Sequence, residues 1–202
     1  MPDPLFDLPN LPDADVVVLA QQGREAAYRE LIRRYERPVF SLVYRMVRDR
    51  ETAEELAQDT FVKALNNIDR YSPEFKLSSW LFKIANNLAI DQLRKARLPT
   101  VSLSGAPGAA TAAEIEATSF EVANHEPSAL QALEAREIGS AIERAIAKLR
   151  PEYRSCIIMR HVEGRSYEEI ATTLDLPLGT VKTYIHRARN ELRTALEGVD
   201  DG

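Results

Sequence analysis

Near the C-terminal end of the chain, Thr180, Lys182, Thr183, His186, Arg187 and Arg189 gather hydroxyl, ammonium, imidazole and guanidinium donors into ten residues. Lys and Arg can donate to guanine acceptors in the DNA major groove, and Thr can touch a base or its methyl, each good contact worth roughly 1–3 kcal/mol of discrimination. Arg189, with Arg193, is better spaced for phosphates. Such donors act together only on one rigid face. Val181, Ile185, Ala188 and Leu192 recur at i, i+4, i+7 and i+11, which turns Gly179, Thr183, His186, Arg187 and Asn190 the other way and leaves Thr180 and Lys182 flanking near the helix start. A second polar stripe, Lys83, Asn87, Asp91 and Arg94, repeats at three- and four-residue spacing beside Trp80. Trp80 fits either a core anchor or a platform for a base. A third group, Glu54, Glu55, Gln58 and Asp59 with Phe61, sets carboxylates one helical turn apart near an aromatic side chain. That arrangement can pair with Arg on a partner helix, and it equally describes a solvated face with Phe61 in the core.

Other chemistries are poorly served. One cysteine, Cys156, and three histidines provide neither a disulfide nor zinc-ligand spacing. Carboxylates do not cluster as a nuclease or deaminase needs, so no enzyme activity, metal or cofactor is expected.

The elements that must hold these side chains are helices. From Asp13 to Arg97 no alternating strand pattern occurs, and no glycine lies between Gly23 and Gly105. A helix is expected over 26–47, with Ala27, Leu31, Tyr35, Val39, Leu42, Val43 and Met46 inward and Pro38 kinking or interrupting it. After a turn near Asp49, Thr52 and Glu55 suggest a capping box for a helix reaching about Ile68. A loop from Tyr71 to Leu77 with Ser72 and Pro73 precedes a last helix from about Ser78 to Arg97, whose inner side is Leu77, Leu81, Ile84 and Leu88. Ser166 with Glu169 forms a second capping box, and Pro177 suits the first turn of the next helix, so residues 166–182 follow the pattern of a helix-turn-helix.

The organisation is therefore all-α, with two small helical domains joined by a flexible linker. A leader (1–15) precedes a first domain (16–98), an acidic linker (99–127), a second domain (128–197) and a tail (198–202). The net charge of -5 conceals this division. Residues 16–98 carry +4 and 148–193 carry +3, while the leader carries -4 and residues 99–147 carry -5. Two basic modules set between acidic segments suit a polyanionic partner. The longest apolar run, Val16 to Ala20, is far too short for a membrane span, and the acidic N-terminus lacks a basic signal region. A cytoplasmic location is expected.

Residues 49–64 (DRETAEELAQDTFVKA) and 78–91 (SSWLFKIANNLAID) resemble region two of the extracytoplasmic-function sigma factors of bacterial RNA polymerase. The helix-turn-helix, introduced by Leu149-Arg150-Pro151-Glu152 and ending His186-Arg187-Ala188-Arg189, resembles their region four. Together the two cover about two-thirds of the chain in family order. The resemblance implies a promoter-reading subunit. Glu54, Glu55, Gln58, Asp59 and Phe61 would dock on the clamp helices of the largest polymerase subunit, and region four would meet the flap. Tyr71, Trp80, Lys83, Asn87, Asp91 and Arg94 would hold an extruded base of the minus-ten element, unstacking being offset by contacts to the freed base. Thr180, Lys182, Thr183, His186, Arg187 and Arg189 would read the minus-thirty-five element. The linker, negative through Glu114, Glu116 and Glu121, would pass through the polymerase. The resemblance also implies an anti-sigma partner and a role in a stress or envelope response. A free-standing helix-turn-helix regulator is the rival reading, and it requires tight duplex binding without polymerase.

Overall fold

The computed structural model of the chain describes residues 7–72, 74–97 and 129–197, with no strand among them. Leu98, the expected linker, Ser128, Pro73, the first six residues of the leader and the tail lie outside the described residues. The first module consists of α1 (Asp13–Gln21), α2 (Glu25–Val47), α3 (Arg50–Leu65), a 3-10 turn at Ile68–Arg70, and α4 (Leu77–Arg97). The second holds α5 (Ala129–Lys148), α6 (Pro151–His161), α7 (Tyr167–Leu174) and α8 (Leu178–Glu197).

Helix α2 is the spine of the first module. Ala27, Leu31, Val39, Leu42, Val43 and Met46 are buried along it, while Tyr35 is half-buried. Pro38 sits inside the helix without ending it, so of the two expected outcomes, kink or interruption, the interruption does not occur. Proline removes one backbone donor, and the apolar residues that follow it are buried deeply enough to offset that loss. The helix stops at Arg48, whose φ of 62° is left-handed. Asp49 then caps α3, its carboxylate accepting from Thr52 N at 2.8 Å. The cap is thus Asp49 and not Thr52, because starting three residues earlier lets the aspartate satisfy a free N–H of the first turn.

A buried ionic cluster ties α1 to α2. Glu30, 6% exposed, accepts from Arg33 and Arg34, and Arg34 reaches on to Asp13 Oδ1 at 2.7 Å and to the carbonyls of Leu8 (2.6 Å) and Leu11 (2.8 Å). The hydrogen bond from Arg33 and the neighbouring guanidinium of Arg34 hold the Glu30 carboxyl down at about 2, against a desolvation that pushes it up. In the second module Arg154, 5% exposed, donates to the carbonyls of Ile146 (3.1 Å) and Leu149 (3.2 Å) and to that of Ala147. A buried cation thereby satisfies the acceptors at the C-terminal end of α5.

The two modules touch, which the sequence did not indicate. Helices α6 and α7 lie on α4, and α5 and α6 lie on α2, so that one apolar cluster contains residues of both. Polar groups are sealed into the contact. Arg154 donates to the Met46 carbonyl, Ser155 Oγ bonds Asn86 Oδ1, and Arg165 donates to Ser79 Oγ at 3.0 Å while its guanidinium lies 4.7 Å from the Phe82 ring centre.

Candidate nucleic-acid and protein interfaces

The helix-turn-helix is built from its caps. Ser166 Oγ accepts from Glu169 N at 3.1 Å, and Ser166 N donates to Glu169 Oε2 at 3.0 Å, so the expected capping box is present in full. Asp175 closes α7 in the left-handed region (φ 56°). The Pro177 carbonyl then accepts from Thr180 N and Val181 N, opening α8. Val181, Ile185 and Ala188 are buried at 0–1% exposure. That fixes the helix rotation, and Lys182, Thr183, His186, Arg187 and Arg189 consequently stand exposed with Thr180 half-buried beside them.

The donors are partly preset. Thr183 Oγ1 donates to the Gly179 carbonyl at 2.8 Å, leaving its methyl and lone pairs outward. Arg187 donates to the Tyr153 hydroxyl at 3.2 Å, and this bond holds its charged form. Arg189 lies 3.1 Å from His161 Nε2, and burial together with Arg189 and Arg160 moves His161 below its ordinary range. Gly179 adds a backbone feature: a Cβ placed there meets nothing within 4 Å. Packing within the chain does not require glycine at this point, in the first turn of α8.

On α4 the expected stripe divides. Asn87 and Asp91 are exposed, whereas Lys83 reaches Asp175 at 3.5 Å and Arg94 reaches Glu152 at 3.0 Å, both carboxylates belonging to the second module. Lys76 likewise meets Glu169 at 2.5 Å, and Arg48 pairs with Glu143. On the inner side Leu77 and Leu81 are buried, but Ile84 and Leu88 are only half-buried. Trp80 is half-buried with its ring tilted 50° to Tyr71 at 5.5 Å. Tyr71 itself is 8% exposed and donates its hydroxyl to the Phe75 carbonyl. In this arrangement the Tyr71 ring supports the loop from inside and is not offered to a base. Phe75, absent from the sequence candidates, is 52% exposed; its signal was an aromatic between Glu74 and Lys76 in an otherwise polar loop. A cleft of about 540 Å³ opens between the modules, lined by Asn87, Ile90 and Arg94 from α4 and by Tyr153, Tyr184 and Arg187 from the second module. It brings candidates for the two DNA elements to one place.

The α3 face stands open. Glu54, Glu55, Gln58 and Asp59 are exposed, with Glu54 paired to Arg50 at 2.9 Å one turn earlier. Phe61, in contrast, is 8% exposed and belongs to the core. Its ring is held inside by the packing of α3 on α2 and α4, so it positions this face and does not project from it. The apolar side chain that does project is Val62, 58% exposed. Among the described residues, no group of three or more His, Cys, Asp or Glu side chains could hold a metal ion, and no helix is long and apolar enough to cross a membrane. The Cys156 thiol is fully buried, and desolvation pushes it up to about 12.

Comparison with known proteins finds two family models, each on its own stretch of the chain. Residues 31–98 match the family Sigma-70 region 2, and residues 140–192 match Sigma-70, region 4. The ECF RNA polymerase sigma factor SigW of Bacillus subtilis is 32% identical over 179 residues, covering 87% of this chain and 92% of its own. The ECF RNA polymerase sigma-E factor of Escherichia coli is 32% identical over 189 residues, covering 90% of this chain and 93% of its own. Among solved structures, CnrH in complex with the cytosolic domain of CnrY aligns with a TM-score of 0.65 at 22% identity, over 92% of this chain and 97% of that one. The sigma factor RpoE in complex with the anti-sigma factor NepR, from Bartonella quintana, aligns at 0.59 and 24%, over 84% and 96%. At these identities the structural likeness speaks for the fold.

Proposed function

Because the chain belongs to the extracytoplasmic-function group of RNA polymerase sigma factors, we propose that it binds core polymerase, recognises the minus-ten and minus-thirty-five promoter elements, assists melting and directs the start of transcription. The observation that carries this is the pairing, within one chain and in order, of a region-two and a region-four match with an exposed donor face on α8. The polymerase supplies the chemistry of RNA synthesis, and this subunit supplies sequence discrimination.

Each interface has a physical role in that reading. The carboxylates and amide of Glu54, Glu55, Gln58 and Asp59 meet basic side chains on the clamp helices, with Val62 as the apolar contact and Phe61 as the internal support. Charge complementarity of this kind speeds encounter and fixes register. Lys182, Arg187 and Thr183 read base edges of the minus-thirty-five element from α8, while Arg189 and His186 contact the strand beside them, and the missing side chain at Gly179 allows close backbone approach. The domain spanning 16–98 opens the minus-ten element, with Asn87 and Asp91 toward the freed base, Lys83 and Arg94 toward phosphates, and Trp80 backed by Tyr71 as the wall. The domain spanning 128–197 carries the upstream contacts and meets the flap. The linker over 99–127 runs through the polymerase, and an anti-sigma factor silences the chain until a stress or envelope signal arrives. Its place is the cytoplasm, on the nucleoid when in holoenzyme.

Transcription from a genomic fragment library by purified core polymerase, with and without this protein, tests the reading. New start sites sharing two upstream elements are expected. If the protein neither co-purifies with core polymerase nor changes where RNA begins, the proposal fails.

A further inference from the structure

Arg187, given above to a base edge of the minus-thirty-five element, does not stand alone on α8. Its Nη1 donates to the hydroxyl of Tyr153 at 3.2 Å, and Tyr153 is the third residue of α6. The Tyr153 ring is 6% exposed. Tyr184, three residues before Arg187 on α8, tilts against it with ring centres 5.1 Å apart. We propose that the Tyr153 hydroxyl is a positioning group for promoter discrimination, fixing the Arg187 guanidinium so that its other donors meet one base pair of the upstream element. The inference rests on the sigma-factor reading and adds to it a residue that touches no DNA yet sets how sharply one base is preferred.

The hydroxyl is surplus to packing, because a phenylalanine ring would fill the same buried place beside Tyr184. What the oxygen adds is the bond to Arg187. The ring that carries it cannot drift. Helix α6 begins at Pro151, and Arg154, the residue after Tyr153, donates to the carbonyls of Ile146 at 3.1 Å and Leu149 at 3.2 Å, pinning the first turn of α6 to the end of α5. Helix α8 is fixed in turn by Val181, Ile185 and Ala188, all buried. The guanidinium is therefore held at both ends, by its own backbone and by a second helix of the same module, and the arrangement does not depend on where the first module lies. An arginine presents five N–H donors in a planar fork. The Tyr153 bond engages Nη1, which leaves the Nε–Nη2 edge for a paired contact with guanine O6 and N7 in the major groove. A free arginine gives up much rotamer freedom on binding, and one held beforehand gives up less. Holding also keeps the fork from neighbouring bases and phosphates, so the hydroxyl raises selectivity and not affinity alone.

The test uses holoenzyme assembled from core polymerase and the full chain, on templates built from a start site that the unaltered protein directs, with each base pair of the upstream element replaced in turn. The unaltered chain is compared with Y153F, R187A and Y153F/R187A. R187A identifies the base pair that Arg187 reads, as the position where discrimination is lost. Y153F is expected to lower discrimination at that same base pair by about fivefold, the scale of one hydrogen bond, while discrimination elsewhere in the element and recovery with polymerase stay the same. Because Tyr153 acts through Arg187, the double variant should discriminate no worse than R187A. A packing defect would not give this pattern, since a loosened module loses preference at every position. A second readout needs no polymerase: nuclear magnetic relaxation of the Arg187 Nε–H group in the free chain, assigned by its disappearance in R187A, should show a lower order parameter in Y153F than in the unaltered protein. The positioning role is overturned if Y153F keeps full discrimination, loses it evenly across the element, binds promoter more tightly, or worsens R187A, and equally if the Nε–H order is unchanged or R187A discriminates everywhere. A directed start site with any of those results defeats positioning alone and leaves the sigma-factor reading standing, while absence of a directed start site defeats the reading and the role with it.

Discussion

At the scale of single residues, charge decides most of what this chain can do. Glu30 is the clearest stability case. Its carboxyl is held at about 2 by Arg33 and Arg34, below an unfolded value of 4.5. A depressed carboxylate contributes stability that is complete above its unfolded value and disappears as pH falls toward the folded one. Stability should therefore decline between about pH 5 and pH 2 in the natural chain, and Glu30→Gln should flatten that decline. At pH 7 the same change should cost roughly 2 kcal/mol, the usual scale for a charged hydrogen bond. Urea unfolding at pH 7 and pH 3 checks both, and an unchanged pH dependence in the variant would show that the cluster is not the acid-sensitive element. On the functional faces, Arg187→Ala and Lys182→Ala should each lower promoter use at the upstream element by about tenfold, the scale of one lost base contact, while polymerase recovery in a pull-down stays the same. Gln58→Ala with Asp59→Ala should lower recovery with polymerase, and promoter use only in proportion to the holoenzyme lost. Loss of polymerase recovery in the α8 variants, or unchanged recovery in the α3 variant, would mean the two faces are wrongly assigned.

At the scale of elements, local grammar was readable where a cap or an apolar period set the outcome. The Ser166–Glu169 box and the Val181, Ile185, Ala188 face were legible because each depends on neighbours within one or two turns. The start of α3 was not, since Asp49 and Thr52 are both competent caps and only the left-handed turn at Arg48 chooses between them. Pro38 left kink and interruption both open for a related reason: its local cost is real, and tertiary burial on the residues around it outweighs that cost enough to keep the helix unbroken. Phe61 and Tyr71 share one lesson. An aromatic in a motif looks the same in sequence whether it projects to a partner or braces the surface from below, and helix rotation alone separates Phe61 from Val62. Two substitutions test the element that presents the donors. Ser166→Ala should destabilise the second module by about 1 kcal/mol through loss of the cap. Gly179→Ala should leave stability equal or slightly raised, because a Cβ there meets nothing, and should weaken binding of promoter duplex by the holoenzyme in an electrophoretic shift. Unchanged promoter affinity in G179A would remove the close-approach role given to that position.

At the scale of the whole molecule, contact between the modules was hidden from the sequence because it depends on pairs such as Asn86 with Ser155 and Arg165 with Ser79, separated by 69 and 86 residues. No periodicity encodes such pairs. Among the described residues four ion pairs cross the contact, and Arg48 with Glu143 is the most buried of them. The three more exposed pairs contribute about 0.5 kcal/mol each, so together roughly 1.5 kcal/mol, which added salt can largely cancel. Shared apolar packing makes the modules unfold together as long as the contact holds, whereas separated modules unfold on their own terms. The chain contains its own reporter for this: its one tryptophan, Trp80, lies in the first module and packs on Tyr71, while far-ultraviolet circular dichroism sums the helices of both. At low salt, thermal unfolding followed by tryptophan fluorescence and by circular dichroism should coincide. At about 0.5 M salt the two curves should part, the fluorescence tracing one step and the dichroism two. Coincidence at every salt concentration would mean that apolar packing, and not charge, couples the modules, and that polymerase must break a much stronger contact to spread them along a promoter.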